Sequence, residues 1–113
     1  MSRARLIAAA LALSASVASA EDTIKIGVVA PFSGPFAEYG RQMDIGMKAY
    51  LKIHGDKVAG KKIEILLKDT TGPVPEVAKR LAQELVVREN VDFLAGFGLT
   101  PEGDAARRVR EWA

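Results

Sequence analysis

The amino-acid sequence predicts an α/β protein in which helices flank a parallel sheet, with elements in the order β-α-β-α-β-α. Two observations carry this reading. Short apolar, β-rich runs recur at 23–30, 63–68 and 91–97, and the segments after them place apolar residues at helical spacing. Strands that alternate with helices over short connections wind a parallel sheet through right-handed crossovers.

Residues 23–30, Thr-Ile-Lys-Ile-Gly-Val-Val-Ala, become continuously apolar, as a strand covered on both faces requires. Residues 31–35, Pro-Phe-Ser-Gly-Pro, forbid both helix and ladder pairing, so a loop begins there. From about 41 to 54 the residues Met43, Met47, Tyr50 and Leu51 mark one helical stripe, and Gly55 stands where that helix stops. Residues 58–62 read as a turn. In the second strand Ile63, Ile65 and Leu67 alternate with Glu64, Leu66 and Lys68.

Residues 69–73, Asp-Thr-Thr-Gly-Pro, are turn chemistry, and Pro75 suits a first helical position, where its missing N–H has no partner to lose. Ala78, Leu81, Ala82, Leu85 and Val86 form the apolar stripe of the second helix, with Lys79, Arg80, Gln83, Glu84 and Arg88 opposite. Glu84 and Arg88 have the spacing of an i,i+4 ion pair. Residues 91–97 form the third strand, residues 98–101 break the chain, and a helix is expected from Glu102.

With the second strand beside the first and the third on the first strand's other side, the order is 2-1-3. The winding then reverses between strands one and three, and ligands of doubly wound sheets bind in the crevice that such a reversal opens. The loops 31–40 and 98–102 line it. Ser33 and Thr100 offer hydroxyls, Gly34 and Gly98 allow close backbone approach, and each loop feeds a helix N-terminus whose free N–H groups favour an anion. Tyr39 is the aromatic candidate for a ligand wall, ahead of Phe32 and Phe36, which can simply pack the loop. The cluster Asp69-Thr70-Thr71 reads as turn capping.

Composition narrows the function. The charged start at Arg3 and Arg5, the charge-free run 6–20 and the small triplet Ala18-Ser19-Ala20 form a secretory leader cleaved after Ala20. Its apolar run falls short of the ~20 residues of a membrane span, so no membrane insertion is expected after cleavage. The leader takes two of the 16 basic side chains, which leaves basic and acidic residues matched at 14 each and argues against a nucleic-acid partner. There is no cysteine for a disulfide or a lipid anchor.

Enzyme signatures are missing from the pattern. Gly96 and Gly98 lack the third glycine of a dinucleotide fingerprint, and Gly60-Lys61-Lys62 lacks the rest of a phosphate loop. His54, the single histidine, has no metal-sharing companion, and Ser33 does not sit in a nucleophile elbow. No enzyme, metal or cofactor is expected.

The run 26–40, Ile-Gly-Val-Val-Ala-Pro-Phe-Ser-Gly-Pro-Phe-Ala-Glu-Tyr-Gly, resembles the opening of periplasmic solute-binding proteins of the leucine/isoleucine/valine-binding family. The following helix, the strand GKKIEILLKD and the segment VDFLAGFGLT keep that family's order, so the likeness spans about 23–102. The resemblance implies the partial N-terminal lobe of a type I binding-protein fold at 21–102. It also implies an exported periplasmic component that delivers a branched-chain amino acid, an amide or an aromatic carboxylate to a membrane ABC permease. It places the carboxylate-gripping hydroxyl on Thr100 and the loop aromatic on Tyr39.

Residues 103–113 depart from the Ala-rich helix expected there and read as an atypical tail. That departure suggests a truncated or frame-shifted N-terminal piece, whose half-cleft should bind solute weakly. The alternative is a small exported sensor or interaction domain that pairs through its unfinished sheet edge.

Overall fold

The computed structural model describes residues 22–111. The secretory leader read at 1–20 and the final residues of the tail, 112–113, lie outside the described residues. Strand β1 (Thr23–Ala30) leads through a 3₁₀ turn (Gly34–Phe36) into helix α1 (Ala37–His54). Then come β2 (Lys57–Val58), β3 (Lys61–Asp69), α2 (Pro75–Val87), β4 (Phe93–Gly96) and α3 (Thr100–Arg107), closed by a 3₁₀ turn at Arg108–Glu111.

The sheet has the order β2-β3-β1-β4. β1 runs parallel to β3 from Thr23↔Lys62 to Ala30↔Asp69 and parallel to β4 from Ile26↔Phe93 to Val29↔Gly96. The three principal strands therefore take the order read from the sequence, with β1 central. β2 is an addition, antiparallel to β3. Residues 58–62 are not a plain turn: Ala59 (φ 51°) and Gly60 (φ 77°) both take left-handed backbone, as a two-residue hairpin with the native strand twist demands. Alanine in that position hides the hairpin from a sequence reading.

α1 starts four residues earlier than its apolar stripe suggests. Pro35 sits within the first turn, where its fixed φ is compatible with helix, and the chain winds on from the 3₁₀ turn without a break. Gly40 is thus a buried helical residue and not the end of a loop. Its N–H donates to the Pro31 carbonyl at 3.2 Å, and a Cβ there would stand 2.3 Å from that oxygen. Only glycine lets the helix approach the loop so closely. Met43, Met47 and Leu51 are half-buried. Tyr50, read into the same stripe, is 58% exposed and lays its ring on His54, centroids 4.3 Å apart.

The core lies on the opposite face, beneath α2 and α3. Val29, Ala78, Leu81 and Leu85 are buried together, flanked by Leu66, Leu94 and Phe97. A second cluster joins Ala82 of α2 to Ala106 and Val109. The stripe read on α2 is the stripe that is buried, because a 3.6-residue period brings those positions to one side. Leu85 fits over Gly27, where an added Cβ would come within 2.7 Å of it. Glu84 does not take Arg88 as its hydrogen-bonded partner. Lys68, projecting from β3 to the same face, reaches the Glu84 carboxylate at 2.7 Å. This bond holds Glu84 below the usual carboxylate pKa, with Arg88 a minor contributor.

Leu85 is the largest fully buried apolar side chain among the described residues, so truncation removes transfer energy and leaves a cavity. Leu85→Ala is expected to lower stability by about 2–5 kcal/mol, measured by urea denaturation with circular dichroism. A loss under ~1 kcal/mol would contradict this core.

Candidate functional site

In-register pairing of Val29 with Gly96 puts the carboxyl ends of β1 and β4 side by side. Gly96 has φ +97°, and a Cβ there would lie 2.4 Å from the Val29 carbonyl oxygen, so no other residue fits. Phe97 comes next in the left-handed region at φ +63°, a conformation that costs a bulky residue about 1–3 kcal/mol. Two contacts hold it there. Its N–H donates to the Val29 carbonyl at 2.6 Å, and its side chain packs against both buried clusters.

The two successive left-handed residues swing the chain back over β1. Gly98 then packs on the Pro31 ring, to which a Cβ at Gly98 would approach within 3.1 Å of Cδ. Thr100 opens α3 with its side chain exposed. The Thr100 hydroxyl and N–H and the Gly98 N–H have no partner among the described residues.

The facing loop is organised by Asp69, the last residue of β3. Its Oδ1 accepts the N–H groups of Thr71 at 2.7 Å, Phe32 at 2.8 Å and Ser33 at 3.3 Å. Burial alone would raise the Asp69 pKa, but the Ser33 hydroxyl and the N–H groups of Thr71, Phe32 and Ser33 outweigh it and hold the carboxyl below its ordinary value. Thr71 is itself left-handed at φ +60°, and its hydroxyl donates to the Thr70 carbonyl at 2.7 Å. The capping read at 69–71 therefore reaches across to a second loop.

The residues singled out from the sequence fall into different situations. Gly98 lies against Pro31 where the loops meet, and Thr100 follows two residues later at the start of α3, both with donors that have no partner among the described residues. Ser33 is exposed, but its N–H and hydroxyl are turned toward Asp69. Gly34 is exposed at φ +76° against the Thr71 carbonyl. Tyr39 lies in the first turn of α1, 51% exposed, paired with the Phe36 ring at 6.1 Å. Beside the loops a cavity of about 450 Å³ opens between Phe32, Leu67, Asp69 and the first turns of α1. Glu38 and Arg41 close an exposed ion pair at its rim.

Two residues escaped the sequence reading as parts of the site. Asp69 carried the signal, an acidic residue ending a strand, but its reach across to 32–33 depends on tertiary contact. Glu102 is 1% exposed, and its Oε2 accepts the Leu99 N–H at 3.3 Å. Its place three residues into a helix after Pro101 resembles half of a capping box. The arrangement offers neutral hydroxyl and amide donors at one helix start, which suits an oxyanion. Among the described residues no group of three or more His, Cys, Asp or Glu could hold a metal ion, and no helix is long and apolar enough to cross a membrane.

Asp69 gives a pH test. Its folded pKa is depressed, so its contribution is present in full above the unfolded value of about 3.9 and is lost as pH falls through the folded value. Urea denaturation at pH 7 and at pH 3 should show the wild type losing more stability on acidification than Asp69→Asn does. Equal losses would remove Asp69 as the pin between the loops.

Comparison with known proteins gives consistent relatives. The periplasmic binding protein family model matches residues 23–111. A curated relative from Brucella abortus, a Leu/Ile/Val-binding protein homolog, is 45% identical over 101 residues, covering 89% of this chain and 26% of the relative. A solute-binding protein of an ABC transporter from Rhodopseudomonas palustris BisB5, solved with 3,4-dihydroxybenzoic acid, superposes with a TM-score of 0.78 at 49% identity. That match covers 82% of this chain and 25% of the other. A second solute-binding protein from R. palustris, in complex with 4-hydroxybenzoate, superposes with a TM-score of 0.78 at 40% identity, covering 80% and 25% of the two chains. This chain thus spans about a quarter of the length of these relatives. With the parallel sheet and the matched residues taken together, the chain belongs to the periplasmic binding protein family.

Proposed function

We propose that this chain supplies one wall of the solute site of an exported ABC-importer binding protein, and that the solute is a hydroxybenzoate-type carboxylate. The observation that carries the reading is the side-by-side meeting of the two loops, with the Gly98 and Thr100 donors unspent on protein partners. A carboxylate there would receive the Thr100 hydroxyl and the amides at the start of α3, a neutral donor set whose bonds the ligand's charge strengthens. Ser33, Gly34 and Tyr39 form the facing side, with Tyr39 offering its ring to an aromatic solute.

Two relatives solved with hydroxybenzoates favour an aromatic acid, while the name of the curated relative points to branched-chain amino acids. Both solutes share the carboxylate and differ in the group attached to it. The role is capture and delivery, not catalysis: the leader is removed after Ala20, the protein works in the periplasm, and a membrane permease receives the solute. The residues that carry this reading are those of 21–102.

Amide chemical shifts of the isotope-labelled chain, titrated with 3,4-dihydroxybenzoate, 4-hydroxybenzoate and leucine, test the reading even where affinity is low. The aromatic acids should move Gly98, Leu99 and Thr100, and Thr100→Val should weaken that binding about tenfold, equivalent to ~1.4 kcal/mol for a hydrogen bond to a charged group. Larger shifts with leucine would reverse the solute assignment. No shift with any of the three would contradict a solute site on this chain.

A further inference from the structure

Glu102 is spent on an unusual task. Its side chain is 1% exposed, and no described cation lies within ion-pair distance of it. One carboxylate oxygen, Oε2, accepts the Leu99 N–H, while Oε1 is buried with no partner among the described residues. A polar or acidic residue at position 99 would cap α3 from the surface without burying a carboxylate. The sequence instead puts Leu99 at the cap and keeps the acid inside, where burial penalises it.

The location accounts for that choice. Oε2 lies 3.8 Å from where a Cβ would stand on Gly98, so the carboxylate backs directly onto the turn that packs against Pro31. That turn begins at the strained Phe97 and ends at Thr100. Its other described hydrogen bonds join it to β1 through the Phe97 N–H and to the first turn of α3 through the Leu99 carbonyl. The second buried side-chain oxygen without a described partner is the Thr70 hydroxyl. Thr70 follows the last residue of β3, and its N–H donates to the Ala30 carbonyl at 3.0 Å.

We propose that Glu102 is a positioning residue of the solute site, clamping the 97–100 turn from behind so that the Gly98 and Thr100 donors converge on one oxyanion. The proposal rests on the solute-site reading above. By consuming the Leu99 N–H, Glu102 also decides which donors remain for the solute. The clamp needs an acceptor oxygen, which a glutamine side chain also supplies.

Two readouts on the 113-residue chain test this: exchange protection of the Leu99 amide, and affinity for 4-hydroxybenzoate from amide shifts. Glu102→Ala should abolish the protection and weaken binding at least fivefold while circular dichroism reports a folded chain. Glu102→Gln, which retains the acceptor, should restore the protection and bind as well as wild type or better. Glu76→Ala, removing an acid from the first turn of α2, should change stability at most and leave both readouts alone. Unchanged protection or unchanged affinity in Glu102→Ala overturns the proposal, and so does a Gln variant as weak as Ala. If the wild type itself binds no 4-hydroxybenzoate, the solute-site reading fails separately, and Leu99 exchange in the three variants still decides whether the clamp exists.

Discussion

The ladder that joins β1 to its two neighbours is the constraint on which the rest of the molecule depends. β1 pairs along its whole length with β3 and along four residues with β4, so it fixes where both neighbours end. From those ends come the three segments of the crevice: 31–34 after β1, 69–71 after β3 and 97–100 after β4. A slip of one residue in either pairing would send Val29 to the wrong face and part Gly96 from the Val29 carbonyl. The core under α2 and the geometry of the crevice are therefore one structural decision.

Above that sheet, the site is shaped by two carboxylates of the protein's own. Asp69 gathers the N–H groups of Phe32, Ser33 and Thr71, and Glu102 takes that of Leu99. The loop before α1 has spent donors on Asp69, whereas the Gly98 and Thr100 donors at the start of α3 have no partner among the described residues.

The strand order, the buried stripe of α2 and the meeting of the two loops were legible in the amino-acid sequence because each stems from local periodicity or from winding rules. What escaped it needed tertiary knowledge. The hairpin at 57–61 turns on an alanine in left-handed backbone, which composition disfavours. The early start of α1 depends on Pro35 joining a helix and not ending one. Glu84 chose Lys68 from a neighbouring strand over Arg88 on its own helix, a contact invisible to i,i+4 counting. Asp69 looked like part of a local turn cap, and only its bonds to the Phe32 and Ser33 N–H groups of a second loop reveal what it organises; Glu102 marked no more than a helix start, and only its burial sets it apart.

The turn after β4 rests on the loop after β1, where Gly98 meets the Pro31 ring. Proton–proton nuclear Overhauser effects between Gly98 Hα and the Pro31 ring Hδ measure that contact directly. A strong cross-peak is expected, since a Cβ at Gly98 would stand 3.1 Å from Pro31 Cδ. With both residues assigned, the lack of any such cross-peak would separate the two loops and remove the shared crevice.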